Sequence, residues 1–315
     1  MSGRTAGVAF AALALVLAAS AQVAAPPPVS SESLRVHVNL VNVPVNVTDG
    51  RGRPVAGLGR DDFTLTENGH PETITLCEPN AAQPLSLVFA IDTSVSVRKD
   101  LPLARQAAYE FARSLLRPGD RLELLGFAGD VTEVVPFTGN PRSLDRGLRR
   151  LQGDGPTALY AAIARGASDL ELFTGRKVIV VISDGSNSVA GVDYQQARTA
   201  ALRAQASIES LILVPIDADA GRDLGGEHAL IQLSRDTGGQ YFYVDASNPL
   251  QGAMAHLSLA LRSEYLLGYY PAGAEAGMES QPGGFRRIQV RMTKPALNLV
   301  YHLDYRTGYY AQPAQ

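Results

Sequence analysis

The 315-residue sequence contains one cysteine, Cys77, so no intrachain disulfide can brace the fold. Cys77 lies in an apolar, strand-like run, ITLCE, and reads as a buried structural thiol. Positive charge is not in excess either. Lys and Arg number 28 against 31 Asp and Glu, a formal net charge of -3 with no long basic run. Such a balance is not built to follow a phosphate backbone, and nucleic acid is not an expected partner. Past the amino-terminal stretch, no apolar run is long enough to cross a membrane. No Gly-rich turn of the dinucleotide-binding kind follows the first buried strand, and no G-x-S-x-G elbow is present to raise a nucleophilic serine. His37, His70, His228, His256 and His302 are scattered and nowhere paired at metal-ligand spacing. No internal repeat is visible.

What remains is ordinary globular composition, 45% hydrophobic and 19% charged, long enough for one large domain and a smaller one. Arg4 precedes an apolar stretch at 7–19, which ends in Ala19-Ser20-Ala21. A positive start, a short apolar core and an A-x-A-like site predict a secretory signal over 1–21 and export of the remainder to the envelope or beyond. Residues 22–33, rich in Ala, Pro and Ser, read as a flexible lead-in.

From residue 34 the pattern alternates with a period of two. Val36, Val38 and Leu40 share one parity, and Val41, Val43, Val45 and Val47 the other, a change that calls for a bulge or kink. Asp49-Gly50-Arg51-Gly52 is a turn. Glu67-Asn68-Gly69 is expected to close a second hairpin, between Phe63-Thr64-Leu65 and Ile74-Thr75-Leu76. Segment 34–80 is thus all β and too small for a core of its own.

Between 84 and 262, apolar strands at 85–91, 121–127, 177–183 and 209–216 alternate with amphipathic helices at 101–116, 144–151, 157–172, 194–206, 227–237 and 249–262. Further strands are expected at 131–136 and 240–244. Near-continuous apolar strands indicate an α/β domain with a doubly wound, mostly parallel sheet, covered on both faces and joined by right-handed crossovers. Residues 263–311 return to β, with strands predicted at 285–292 and 297–303. Two incomplete β segments around an α/β unit are expected to pair into one small β-sandwich, with the α/β domain inserted between them. Separate strand additions to the α/β sheet are the alternative.

The chemistry gathers at strand ends. The run LVFAI is followed by Asp92-Thr93-Ser94-Val95-Ser96, and in an extended segment residues two apart point the same way. Ligands of open α/β sheets bind outside the carboxyl ends of the strands. Two more stretches fall there: Gly153-Asp154-Gly155-Pro156-Thr157, and Asp184-Gly185 after KVIVVIS. Asp92, Ser94, Ser96, Thr157 and Asp184 together offer two carboxylates and three hydroxyls. Hard oxygen donors suit Mg²⁺, or Mn²⁺ or Ca²⁺ in its place, better than zinc or copper. Thr157 alone would also serve as a helix N-cap, and Asp184-Gly185 as a plain turn.

These five residues, in this order, resemble the metal-ion-dependent adhesion site of the von Willebrand factor A family, whose domain is Rossmann-like. The resemblance covers about 84–262. The flanking VHVNLVNVPVNVTDGRGRPVAGLGRDDFTLTENG and EYLLGYYP with YRTGYYA are further similar to VWFA-related proteins of acidobacterial type. It implies a secreted, metal-dependent protein-binding module and not an enzyme. Ser94, Ser96 and Thr157 would coordinate directly, Asp92 and Asp184 wholly or partly through water, and a partner protein's Asp or Glu carboxylate would complete the shell. Where many relatives carry two glycines, this chain has Gly155-Pro156-Thr157.

Other readings stay open. Phosphohydrolases with an Asp nucleophile also place it after strand one, but need a second Asp where Ser94 stands. An assembly subunit with a purely structural metal is a third option. The loop Asp217-Ala218-Asp219-Ala220-Gly221-Arg222-Asp223 has calcium-loop spacing without the closing Glu. Tyr265, Tyr269, Tyr270, Tyr301, Tyr305, Tyr309 and Tyr310 read as cross-strand packing, and Asn46-Val47-Thr48 as a sequon inside a strand.

Overall fold

The computed structural model describes residues 40–79, 83–214, 222–271 and 284–311. The expected signal sequence, the lead-in, the parity change before Val41 and most of the 217–223 loop lie outside them.

Strand β1 (Val41–Thr48) buries its odd-numbered valines. A 3-10 turn then leads to β2 (Phe63–Glu67), β3 (His70–Glu72) and β4 (Ile74–Pro79). The hairpin forms between β2 and β3, with Glu67 opposite His70. Asn68 and Gly69 both take positive φ, 50° and 86°, the backbone of a tight two-residue hairpin turn. Ile74-Thr75-Leu76 is therefore not the return strand of that hairpin. It belongs to β4, which crosses to another sheet, where Cys77 is half-buried and not a core thiol.

Eight residues in a row are buried in β5 (Leu85–Asp92). Helix α1 (Leu101–Leu115) follows, burying Ala104, Ala107, Ala108, Phe111, Ala112 and Leu115 on one stripe. Next come β6 (Arg121–Phe127), β7 (Val131–Thr138), α2 (Pro141–Arg150), α3 (Leu159–Leu170) and β8 (Arg176–Ser183). The α/β part closes with α4 (Tyr194–Ala204), β9 (Ser207–Leu213), α5 (Leu224–Thr237), β10 (Tyr241–Val244) and α6 (Leu250–Ser263). Its six strands run in the order β10-β9-β8-β5-β6-β7, all parallel except β7. One core beneath the sheet draws on α1, α2 and α6, the other on α3, α4 and α5. This is the doubly wound, mostly parallel α/β sheet expected from the apolar runs.

The chain ends in β11 (Tyr265–Tyr269), β12 (Phe285–Met292), β13 (His302–Tyr305) and β14 (Gly308–Tyr310). They interleave with the first four strands. One sheet is β13-β1-β11-β4 and the other β14-β12-β2-β3, and both contribute to a single core of Val43, Val45, Phe63, Leu65, Leu267, Ile288 and Val290, among others. The strand expected at 297–303 does not form as such. Pro295–Leu299 is a 3-10 turn, held by Asn298, whose side chain accepts the Met292 N–H at 2.9 Å and donates to the Met292 carbonyl at 3.0 Å. Leu299 is consequently exposed. Of the tyrosines, Tyr265, Tyr269 and Tyr309 are core residues, whereas Tyr270 is exposed.

Charged groups lie inside this packing. The Glu67 carboxylate accepts from Tyr269 Oη at 2.6 Å, Tyr309 Oη at 2.8 Å and Arg286 Nη1 at 2.7 Å, tying β11, β14 and β12 to β2. Arg176, opening β8, pairs with Glu264 at the end of α6, and Asn46 of β1 also donates to Glu264. Asn46 is thus buried, unlike an accessible glycosylation site. Glu67→Ala leaves two buried hydroxyls and a guanidinium without that acceptor. It is expected to cost about 3 kcal/mol in urea unfolding, with Glu67→Gln losing less. A loss near zero for Glu67→Ala refutes this role.

Burial also pushes the Glu209 carboxyl of β9 up to about 8, against the opposing pull of the Gln240 N–H, and Glu123 of β6 to about 8 by the same cause. Between the ordinary carboxyl value near 4.5 and about 8, the folded chain holds a proton that the unfolded chain has released. Stability is expected to fall as pH rises through that window, and Glu209→Gln to flatten part of the fall. Melting curves from pH 5 to 8 measure both, and equal slopes for the two proteins would reject the Glu209 share.

Candidate metal centre

The connections make one crevice. From β5 the chain moves to β6 on one side and later returns to β8 on the other, so the order reverses at β5. Loops leaving the carboxyl ends of β5 and β8 diverge there, the usual place for a ligand in such sheets.

Asp92 ends β5 and is 2% exposed. Its Oδ1 accepts the Ser94 N–H at 2.9 Å, and its Oδ2 accepts the Ser183 hydroxyl at 2.6 Å. Among the described residues, no Lys or Arg pairs with it. Burial raises its carboxyl to about 6, the two hydroxyl partners and the Ser94 amide oppose that rise, and the Asp184 charge adds to it. Burial and a second carboxylate nearby disfavour the charged form of such a carboxylate, and a cation beside it would favour that form. Ser94 is buried and Ser96 exposed, and their hydroxyls lie 3.1 Å apart. The i, i+2 spacing therefore does bring these two side chains to one point.

Thr157 lies two residues ahead of α3, whose N-cap residue is Ala158, with no side-chain cap bond. The N-cap use of Thr157 is thus not found, and its hydroxyl makes no hydrogen bond among the described residues. The Ala158 N–H goes instead to the Ala128 carbonyl at 2.8 Å. Asp184 is half-buried, its Oδ1 accepting the Ser186 N–H at 3.0 Å. Gly185 takes φ 92° with its Cα against the Gly226 and Glu227 backbone, so no side chain fits there.

The three loops are bonded to one another. The Val95 N–H reaches the Gly155 carbonyl at 3.4 Å, and the Ser188 N–H the Thr157 carbonyl at 2.9 Å. Ser188 Oγ accepts the Thr157 N–H at 2.9 Å. Ser183 and Gly185 tie Asp92 to the turn of Asp184, since the Gly185 N–H bonds Ser183 Oγ at 3.1 Å. Ser188 and Thr93 are supporting residues that pattern reading left aside, whereas Ser183 belongs to the S-D-G strand end read from the sequence. Only Ser188 has a sequence signal of its own, the run of small polar residues Ser186-Asn187-Ser188 after Asp184-Gly185. The Asp223 side chain accepts the Gly226 N–H at 2.9 Å and caps α5, so this member of the calcium-like loop has a structural use.

The carboxylates and hydroxyls are all hard oxygen donors, and the donor set fits a small divalent cation. Among the described residues no three His, Cys, Asp or Glu side chains gather as a metal-holding group, so hydroxyls have to supply much of such a shell.

Residues 87–187 match the model of the von Willebrand factor type A domain. That segment is a von Willebrand factor type A domain by this match. A solved von Willebrand factor type A protein from Catenulispora acidiphila is similar in fold, with TM-score 0.51, 11% identity and 87% of this chain covering 73% of that one. The likeness therefore extends beyond the matched segment. BatB from Bacteroides thetaiotaomicron is 23% identical over 56% of this chain and 97% of its own, with TM-score 0.45. The vWF domain of the type V pili tip protein Mfa5 from Porphyromonas gingivalis is 13% identical over 56% of this chain and 94% of its own, with TM-score 0.48. No curated protein matches the sequence.

In this von Willebrand factor type A domain, Gly153 packs on Thr93. A Cβ at Gly153 would lie 2.1 Å from Thr93 Oγ1 and 2.5 Å from the Thr93 carbonyl. Gly153→Ala is therefore expected to push the 153–157 loop off the 92–96 loop and to cost about 2 kcal/mol. A melting temperature equal to that of the native chain would show that the loops are not in contact in solution.

Proposed function

We propose that the chain is an exported interaction protein whose Asp92, Ser94, Ser96, Thr157 and Asp184 hold a divalent cation, Mg²⁺ first, with Mn²⁺ or Ca²⁺ as substitutes. A protein partner's Asp or Glu carboxylate takes the open position. The observation that carries this reading is the buried Asp92 carboxylate, without a basic partner, beside two hydroxyls 3.1 Å apart. When bound, the cation supplies a Lewis-acidic position for a carboxylate oxygen. The chain's own work is to hold the donors. Ser183 and the Ser94 amide fix the Asp92 carboxylate, the Ser186 amide fixes Asp184, and the Ser188 contacts hold the Thr157 backbone.

Binding is favoured over hydrolysis by the residues themselves. Ser94 stands where an Asp-nucleophile hydrolase needs its second Asp. The sequence has only three lysines, Lys99, Lys177 and Lys294. Lys177 is at the opposite end of β8 from Asp184. Export rests on Arg4, the apolar stretch 7–19 and Ala19-Ser20-Ala21. No helix among the described residues is long and apolar enough to cross a membrane.

Millimolar Mg²⁺ or Mn²⁺ is expected to raise the melting temperature by about 3 °C or more, and Asp92→Ala to remove the shift. Ser96→Ala, at an exposed position, is expected to weaken it without disturbing the fold. No shift in the native protein refutes the cation. Capture of envelope proteins on the native chain, with and without EDTA, reads adhesion. Identical partners in both arms would make the metal structural, and phosphatase activity lost in Asp92→Asn would replace binding by hydrolysis.

A further inference from the structure

The opposite end of the sheet has a site of its own. A cavity of about 230 Å³ lies where the starts of β8 and β9 meet β1 and β11, lined by Asn42, Arg176, Lys177, Ser207, Glu264 and Arg306 among others. Arg176 and Arg306 are 4% and 5% exposed. Arg176 directs Nη2 to Glu264, while its Nε and Nη1 have no hydrogen-bond partner. Arg306 donates Nη2 to the Asn42 carbonyl, and its Nε has none. Asn42 Oδ1 is an equally unpartnered acceptor.

The charges do not balance. Glu264 offsets Arg176. Arg306 has no carboxylate partner among the described residues; its guanidinium lies 5.4 Å from the Tyr309 ring centre, a partial compensation, and burial presses it down to about 10. Lys177 is half-buried, and desolvation lowers it as well. Leaving buried cations uncompensated is costly, and leaving their N–H groups unbonded adds to the cost.

We propose that this cavity binds a small oxyanion, a phosphate or carboxylate group, between Arg176, Lys177 and Arg306. Guanidinium groups present N–H donors in a fixed plane that matches such oxygens two at a time. A monoprotonated phosphate also offers an O–H donor for Asn42 Oδ1. A single water needs only about 10–15 Å³ of such cavity space, so the cavity has room for a tetrahedral oxyanion with part of its hydration.

The test uses the full chain in EDTA, so that no divalent cation holds the anion and the outcome is independent of the proposed metal centre. Sodium phosphate, sodium acetate and sodium chloride are titrated at matched ionic strength against the melting temperature. One of the oxyanions is expected to give a saturable rise of about 2–4 °C that chloride does not. Phosphate alone identifies a phosphoryl site, and a response to acetate a carboxylate site. Arg306→Met, which keeps the stem, is expected to weaken the apparent affinity at least tenfold. If that variant does not fold, Lys177→Met is read instead, with an expected loss of at least threefold. Equal responses to all three salts overturn the proposal, as does native affinity in the variant that is read.

Discussion

The position of β5 is the constraint on which the rest depends. Every residue of this strand is buried, and it is hydrogen-bonded on one side to β6 and on the other to β8. A strand so placed can release its chain only at its carboxyl end, where the two crossovers part. Asp92 is the last residue of the strand, still paired with Phe127 of β6 but past the last pair with β8. The opening between the loops is what lets a buried carboxylate meet two hydroxyls there. Moving β5 to an edge would abolish both the crevice and the burial of Asp92.

Around that strand, polar groups do the joining that apolar packing cannot specify. Hydrophobic side chains bury area without fixing register, whereas a buried Glu has to meet defined donors. Glu67 gathers Tyr269, Arg286 and Tyr309. Asp120, after α1, accepts the N–H of Leu85 at the start of β5 and pairs with Arg262 of α6. The Glu67 contacts thus join a strand that precedes the α/β part to strands that follow it, and the Asp120 contacts join β5 to α6. A glycine at 153 and another at 185 then let the loops above the sheet approach one another closely enough to bond.

Much of this was legible because parallel strands buried on both faces leave a strong mark. LVFAI and KVIVVIS could not be read as anything half-exposed, and four of the five oxygen donors follow such runs at fixed offsets, Thr157 lying instead ahead of α3. The errors have local causes. At 297–303 an alternating pattern lost to Pro295 and to the two bonds of Asn298, which favour a 3-10 turn. At 157 the helix starts later than its apolar stripe suggests, because the Ala158 amide is drawn to Ala128. Ile74 was joined to the wrong hairpin because strand patterning does not record which sheet a strand enters. Pairs such as Ser183 with Asp92, or Arg176 with Glu264, join residues 91 and 88 positions apart. No spacing rule reaches that far.

The two ends of the α/β sheet carry opposite chemistry for a related reason. At the carboxyl ends, diverging loops expose oxygen donors, and a buried carboxylate there sits without a basic partner. At the amino ends, the sheet meets the interleaved β strands, and the arginines that stitch this junction leave donors and positive charge unmatched. Burial raises the cost of either imbalance, because a low-dielectric surrounding strengthens every uncompensated charge. Packing alone would favour neutral residues at both ends. That the chain keeps Asp92 at one and Arg306 at the other is most simply explained if each meets a counter-charge from outside its own sequence.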